Sequence, residues 1–311
     1  MDKKRVVWIF TSSRSEGGFM QPIIDRAKNI YNLDAYKYSF DPTNSFSEIC
    51  KHIQEDIDKT RPNIVLIPCD RREMVPVAMT CFYNNIPTIH FYAGTYSYSG
   101  THDDVGRHAI SLFSHIMCCE SQAAKDILIK AGEEPWRIVV TGGSHFDDIE
   151  IDTSLCPAGQ KYDLLLLLPE QFGDNSNQIM WEKARKMVRP NIFTIAIKPN
   201  EDPGADKLWK NIKQGLYNYP VIWHDKSVPR MKFLGLLKNC EHYISNSSST
   251  LFEAPAFNIK VLNPSQRNRI RTPPDPSMLR GGADKVVKLL SELDLSNPEL
   301  LTKKVREYPP Q

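Results

Sequence analysis

The chain has 311 residues, of which 41% are hydrophobic and 24% charged. That length suits one large or two ordinary domains, and the composition excludes a largely disordered chain. The balance of 39 Lys and Arg against 37 Asp and Glu gives a net charge of +2, so any basic binding site must be local. No run of eighteen apolar residues occurs, and the opening MDKKRVVWIF turns polar too soon for a signal peptide. The seven cysteines (50, 69, 81, 118, 119, 156, 240) are scattered, with no C-x-x-C spacing. They read as reduced thiols of a cytoplasmic protein without a zinc site.

Short apolar runs alternate with helical patterns. RVVWIF (5–10) reads as a buried strand followed by a helix from about Gly18 to Tyr31. NIVLIP (63–68) precedes a helix near Glu73, and IPTIHF (86–91) leads into GTHDDVGRHAISLFSH (100–115). HIMCC (115–119) precedes ESQAAKDILIKAG, which Gly132 ends, and RIVVTG (137–142) closes this half. The turn-rich IDTSLCPAGQKYD (151–163) marks a boundary. Alternation then restarts with DLLLLLP (163–169), IFTIAIKPN (192–200), YPVIWH (219–224), HYISN (242–246) and KVLNP (260–264). Continuous apolar strands, each followed by a helix, imply parallel sheets covered on both faces. The expected fold is α/β: two Rossmann-like doubly wound domains, 1–150 and 151–311. Their cleft faces the carboxyl ends of both sheets, where such sheets hold ligands.

Polar residues gather at those strand ends. TSSRSEGG (11–18) is either a phosphate-binding turn or an ordinary strand-to-helix turn; it is neither G-x-G-x-x-G nor a P-loop. Asp70, in CDRREM, is either a base or an N-cap. Asp103, Arg107 and His108 cluster at a helix start, with Asp104 adequately explained as a cap. In NSSSTLFEAPAF (246–257), Asn246, Ser247, Ser248 and Ser249 offer donors suited to a diphosphate. Glu253 suits a ribose diol. NPSQRNRIR (263–271) alternates Arg267, Arg269 and Arg271, guanidiniums that either bind phosphate or face solvent. No D-x-D motif calls for a divalent ion, and no cofactor is expected.

Taken together these motifs resemble the UDP-N-acetylglucosamine 2-epimerase family, in particular its hydrolysing branch. CDRREMVPVAM is similar to that branch's G-D-R-F-E-M, and GTHDDVGRHAISLFSHIMCC to its G-T-I-D-D-x-x-R-H-A-I-T-K-L-S-H. RIVVTGGSHFDDI, KPNEDPG, NSSSTLFEAPAFNIKVLN and RNRIR follow in the family's order. The resemblance implies a GT-B-like fold holding a UDP-sugar, with a C-terminal helix crossing back to the first domain. By position, Arg14, Ser247, Ser248, Glu253 and Arg267 match nucleotide contacts, and Asp70, Asp103 and Arg107 match positions near the sugar. Two positions depart: HFYAGT (90–95) puts Tyr92 where the branch carries an acid/base residue, and LLPEQF puts Leu168 where it carries a histidine. Asp70, Asp103 and Tyr92 are therefore the expected catalytic groups. A GT-B glycosyltransferase with a small-molecule, glycan or nucleic-acid acceptor is the alternative, and a silent UDP-sugar sensor a third. The resemblance also implies a homodimer, while the charge balance and the lack of a long apolar run point to no membrane partner.

Overall fold

The computed structural model describes residues 4–11, 14–30, 32–39, 44–96, 102–170, 175–199, 203–268 and 273–304, with backbone only for 14–16. There are two compact units. One comprises Met1–Tyr96, His102–Asp148 and the chain from Ser277 onward; the other contains Ile149–Pro276.

The first unit alternates β1 (Arg5–Phe10), α1 (Arg14–Asn29), β2 (Leu33–Tyr38), α2 (Phe46–Lys59), β3 (Ile64–Pro68), α3 (Met74–Tyr83), β4 (Thr88–Phe91), α4 (His102–Phe113), β5 (Ile116–Cys119), α5 (Gln122–Lys130) and β6 (Ile138–Val140). Its strands pair in parallel in the order β2-β1-β3-β4-β5-β6. Every residue of β3, β4 and β5 is buried, as expected of strands covered on both faces. One face packs Val7, Ile9, Leu66 and Ile89 against Met20, Ile23 and Ile24; the other packs Trp8, Val65 and Ile67 against Ile49, Ile53 and Val77. Strand order reverses between β1 and β3, which places the turns after those strands beside a crevice suited to a ligand.

Two elements here lie outside the sequence expectation. β2, LDAYKY, is an edge strand in which only Leu33 is buried, so it lacks the continuous apolar run that marks its neighbours. α2 carries a Ser45–Glu48 capping box, and Ile49, Ile53 and Ile57 form one buried stripe.

The second unit alternates β7 (Tyr162–Leu166), α6 (Ser176–Arg185), β8 (Phe193–Ile197), α7 (Ala205–Gly215), β9 (Val221–His224), α8 (Arg230–Asn239), β10 (His242–Ser245), α9 (Ser249–Phe252) and β11 (Lys260–Leu262). Its parallel sheet runs β11-β10-β7-β8-β9, with the order reversing between β7 and β10. The helix expected after the serine run is only a four-residue α9 followed by a 3₁₀ turn, Pro255–Phe257. A dipole built on one turn is a weak anion site.

The chain then adds α10 (Gly282–Glu292) and α11 (Pro298–Leu301) to the first unit. Ala283, Val286, Val287 and Leu290 of α10 join the core that holds Met20 and Ile24 of α1. Asp147 receives the backbone N–H groups of Gly281 (2.6 Å) and Ala283 (2.9 Å), which caps α10 from the GGSHFDD segment. That approach needs Gly142, whose φ is +77° and whose added Cβ would stand 2.7 Å from the Met278 carbonyl. Among the described residues no helix is long and apolar enough to cross a membrane.

Candidate functional site

Asp70 stands just beyond β3, and its position is fixed by the residue before it. Cys69 turns the chain with φ +55°. Its N–H donates to the Phe91 carbonyl (2.8 Å), and its own carbonyl accepts from His90 Nε2 (2.7 Å). α3 begins only at Met74 with Glu73 at its N-cap position, so Asp70 caps nothing. It pairs instead with Arg107 of α4. Arg107 is 8% exposed; Nη2 donates to Asp70 and Nη1 to the Tyr92 carbonyl at 2.5 Å. Gly106 allows this approach, because an added Cβ would lie 2.9 Å from the Asp70 carbonyl. Burial disfavours the guanidinium charge, but Asp70, Cys69, Glu120 and Asp103 outweigh it and raise the Arg107 pKa. The Asp70 side chain keeps 23% exposure, so its carboxylate is held by a fixed cation and still meets solvent.

His90, fully buried below this pair, donates through Nε2 to Cys69, which leaves Nδ1 to accept from the Ser111 hydroxyl (2.8 Å). Burial depresses its pKa to about 3, and that of buried His115 to about 4. Unfolding therefore takes up protons below the ordinary histidine pKa, so stability is complete above that value and falls as pH drops through it. Each histidine contributes up to about 1.4 kcal/mol per pH unit. Urea midpoints are expected to fall between pH 7.5 and pH 5, and His115→Gln is expected to flatten that fall. Equal midpoints in the wild type at both pH values would contradict this.

Tyr92 is placed differently from its sequence expectation. It is 3% exposed and held at φ +63°, packed against Phe19 and Phe91. Its hydroxyl donates to His145 Nδ1 and accepts from the Ser144 N–H (2.9 Å). Burial pushes its pKa well above the usual phenol value, so it stays protonated and engaged. Asp103, half-buried one turn before Arg107, adds its field to that guanidinium. His108 packs against Tyr96 with ring centroids 4.5 Å apart and the planes tilted by 44°, and burial lowers its pKa. Arg14 opens α1, with its side chain outside the described residues.

In the second unit, Asn246 spans the point where strand order reverses. It is fully buried: Oδ1 accepts from the Leu168 N–H (2.8 Å), and Nδ2 donates to the Leu168 carbonyl (2.9 Å). The Asn246 amide thus closes the backbone at the ends of β7 and β10 and has no donor free for a ligand. Ser249 is likewise turned inward, its hydroxyl 2.7 Å from that of Tyr243. Ser248 is exposed and Ser247 half-buried, so these two carry the open face of the loop. Glu253, 5% exposed, accepts from Arg230 Nη1 at 2.8 Å. Arg267 follows β11 in a loop held by Asn263 and Ser265. Arg271 lies outside the described residues. A cavity of about 380 Å³ at the carboxyl end of β9 is lined by Trp223, His224, Asp225, Lys226, Ser227 and Lys232, among others.

With both sets of strand ends defined, comparison with known proteins is decisive about kinship. The profile described as UDP-N-acetylglucosamine 2-epimerase matches residues 20–299. The chain belongs to that family. It is 31% identical over 228 residues to the UDP-N,N'-diacetylbacillosamine 2-epimerase (hydrolyzing) of Legionella pneumophila, covering 70% of this chain and 60% of that one. It is 26% identical to the UDP-N-acetylglucosamine 2-epimerase of Neisseria meningitidis, covering 69% and 58%. The chain thus spans about three-fifths of the length of these relatives. Among solved structures, S. aureus MnaA with UDP superposes with TM-score 0.72 at 15% identity, covering 94% of this chain and 89% of that one. The N. meningitidis UDP-GlcNAc 2-epimerase bound to UDP-GlcNAc gives TM-score 0.70 at 18% identity, covering 97% and 95%. These likenesses establish a GT-B-like fold of two Rossmann-like units.

Within this family member, sequence reasoning missed three residues, one after a strand and two on helices. Glu120 follows β5, is 3% exposed and accepts from the Thr95 hydroxyl. Gly106 admits α4 to Asp70, and Arg230 neutralises Glu253. Glu120 shares the signal that picked out Asp70, a carboxylate directly after a buried apolar run. Among the described residues no group of three His, Cys, Asp or Glu is placed to hold a metal ion.

Proposed function

We propose that this family member is a hydrolysing UDP-sugar 2-epimerase. It would take a UDP-linked 2-acetamido sugar, release UDP and deliver the free sugar inverted at C2. The observation that carries this reading is the Asp70–Arg107 pair at the carboxyl end of β3, where a partly exposed carboxylate is fixed by a buried cation. Removal of the C2 proton as UDP departs calls for such a base. Arg107 holds the Asp70 carboxylate in place, and Asp103 adds a second carboxylate on the helix that carries Arg107. Tyr92 anchors the turn after β4 through Ser144 and His145. In the second unit Ser247, Ser248, Glu253 and Arg267 are assigned to the nucleotide. The names of the relatives suggest two sugars, UDP-N,N'-diacetylbacillosamine and UDP-N-acetylglucosamine.

The test is UDP release from each nucleotide sugar in buffer alone. The reading expects release with water as the only co-substrate and a preference for one of the two sugars. Release that begins only when an acceptor alcohol is added would assign the chain to glycosyl transfer instead.

A further inference from the structure

Buried polar atoms normally find a partner, and those that do not mark a place that something else completes. Two such atoms occur in the first unit, one on α4 and one just after β5. Glu120 Oε1 accepts from Thr95, while Oε2 is buried without a hydrogen-bond partner. Arg107 uses both Nη atoms on Asp70 and Tyr92, while Nε is buried without one. The Glu120 charge acts on Arg107 and on the Tyr92 hydroxyl, so the carboxylate belongs to the surroundings of the Asp70–Arg107 pair. The atoms left over are complementary: one accepts and one donates. A group that does both, such as a sugar hydroxyl or acetamide, can satisfy each of them.

Glu73 offers a contrast. It is 1% exposed and neither oxygen accepts a hydrogen bond, but Arg71 Nε at 3.5 Å and Arg72 Nε at 4.0 Å balance its charge. Glu120 is in no ion pair among the described residues. In the turn after β4 the Tyr92 hydroxyl is engaged by His145 Nδ1 and the Ser144 N–H.

We propose that Glu120 is the second proton-transfer carboxylate of this site, working with Asp70. The inference rests on the epimerase reading. As the C1–O bond to UDP breaks, Asp70 takes the C2 proton, the C2–H electron pair becomes a C1–C2 double bond, and the C1–O pair leaves on UDP. Glu120 then takes a proton from the water whose hydroxide adds to C1 and passes it to C2 on the other face, so that it ends as the carboxylate it began as. The proton on Asp70 is released to solvent, so the sum is UDP-sugar and water to UDP, free sugar and one proton.

Glu120→Gln keeps the shape and the Thr95 hydrogen bond and removes only the transferable proton. In an NMR time course with UDP-N,N'-diacetylbacillosamine and UDP-N-acetylglucosamine, E120Q is expected to form saturated sugar at least ~100-fold more slowly than the wild type. KM should stay within about threefold. Unsaturated sugar, seen by its vinyl proton, should accumulate beside UDP, which a merely structural glutamate would not cause. E120D should restore part of the rate. Saturated sugar from E120Q at a rate within threefold of the wild type overturns the proposal while leaving the epimerase reading intact. No UDP from the wild type with either sugar overturns the reading, and the role of Glu120 with it. If E120Q does not fold, Thr95→Val decides. Slower turnover at unchanged KM supports the proposal, and unchanged turnover overturns it.

Discussion

Asp70→Asn is expected to leave UDP binding within about twofold while lowering UDP release by a factor of ~10²–10⁴, the usual cost of losing a positioned general base. The asparagine oxygen can still accept from Arg107, so the shape of the pair survives and only the proton affinity is lost. Arg107, 8% exposed, then remains buried without its counter-charge, and some stability is lost as well. The two effects separate by measurement. Kinetics report the base, and a denaturation midpoint reports the stranded guanidinium. Equal turnover in D70N and wild type would remove Asp70 from the chemistry and with it the main support for the proposed function.

The second large effect is on folding. Arg137 is completely buried and donates to four backbone carbonyls: Leu300 (2.8 Å), Glu299 (2.7 Å), Thr302 (3.0 Å) and His115 (3.2 Å). Its Nε is bonded to Glu134 at 2.6 Å. One side chain thus satisfies the last carbonyls of α11 and ties that segment to the end of α4. Lys303 makes a similar junction, with Nζ donating to the Ser111 (2.7 Å), Leu112 (3.0 Å) and Ser114 (2.9 Å) carbonyls and pairing with Glu133. Arg137→Met fills much of the volume but leaves those carbonyls and Glu134 without their donor. The expected loss is about 3–5 kcal/mol. Urea denaturation followed by circular dichroism should show a midpoint well below that of the wild type. An unchanged midpoint would mean that the C-terminal segment is held by Leu300 and the α10 core alone.

The central strands were legible because burial on both faces writes itself as an unbroken apolar run, as in IVLIP and IMCC. β2 escaped because on this edge strand only Leu33 is buried, while Asp34, Tyr36 and Lys37 are exposed. α2 escaped although its capping box and isoleucine spacing were present. At the site, Asp70 and Arg107 were legible as charges at strand and helix ends, and folding brings them into contact. The serine-rich loop was less transparent. A run of polar residues at a strand end signals need for hydrogen bonds, not whose need it is. Asn246 and Ser249 serve Leu168 and Tyr243, while Ser247 and Ser248 face outward. Glu120 carried the same signal as Asp70, a carboxylate directly after a buried apolar run, and its contact with Thr95 forms only on folding.

The most direct test of the account is a proton NMR time course of UDP-N,N'-diacetylbacillosamine with the protein in D₂O. The account predicts free UDP and a free sugar carrying deuterium at C2, formed without any acceptor. A substrate that binds yet stays intact, or a released sugar that keeps its original C2 proton, would contradict it.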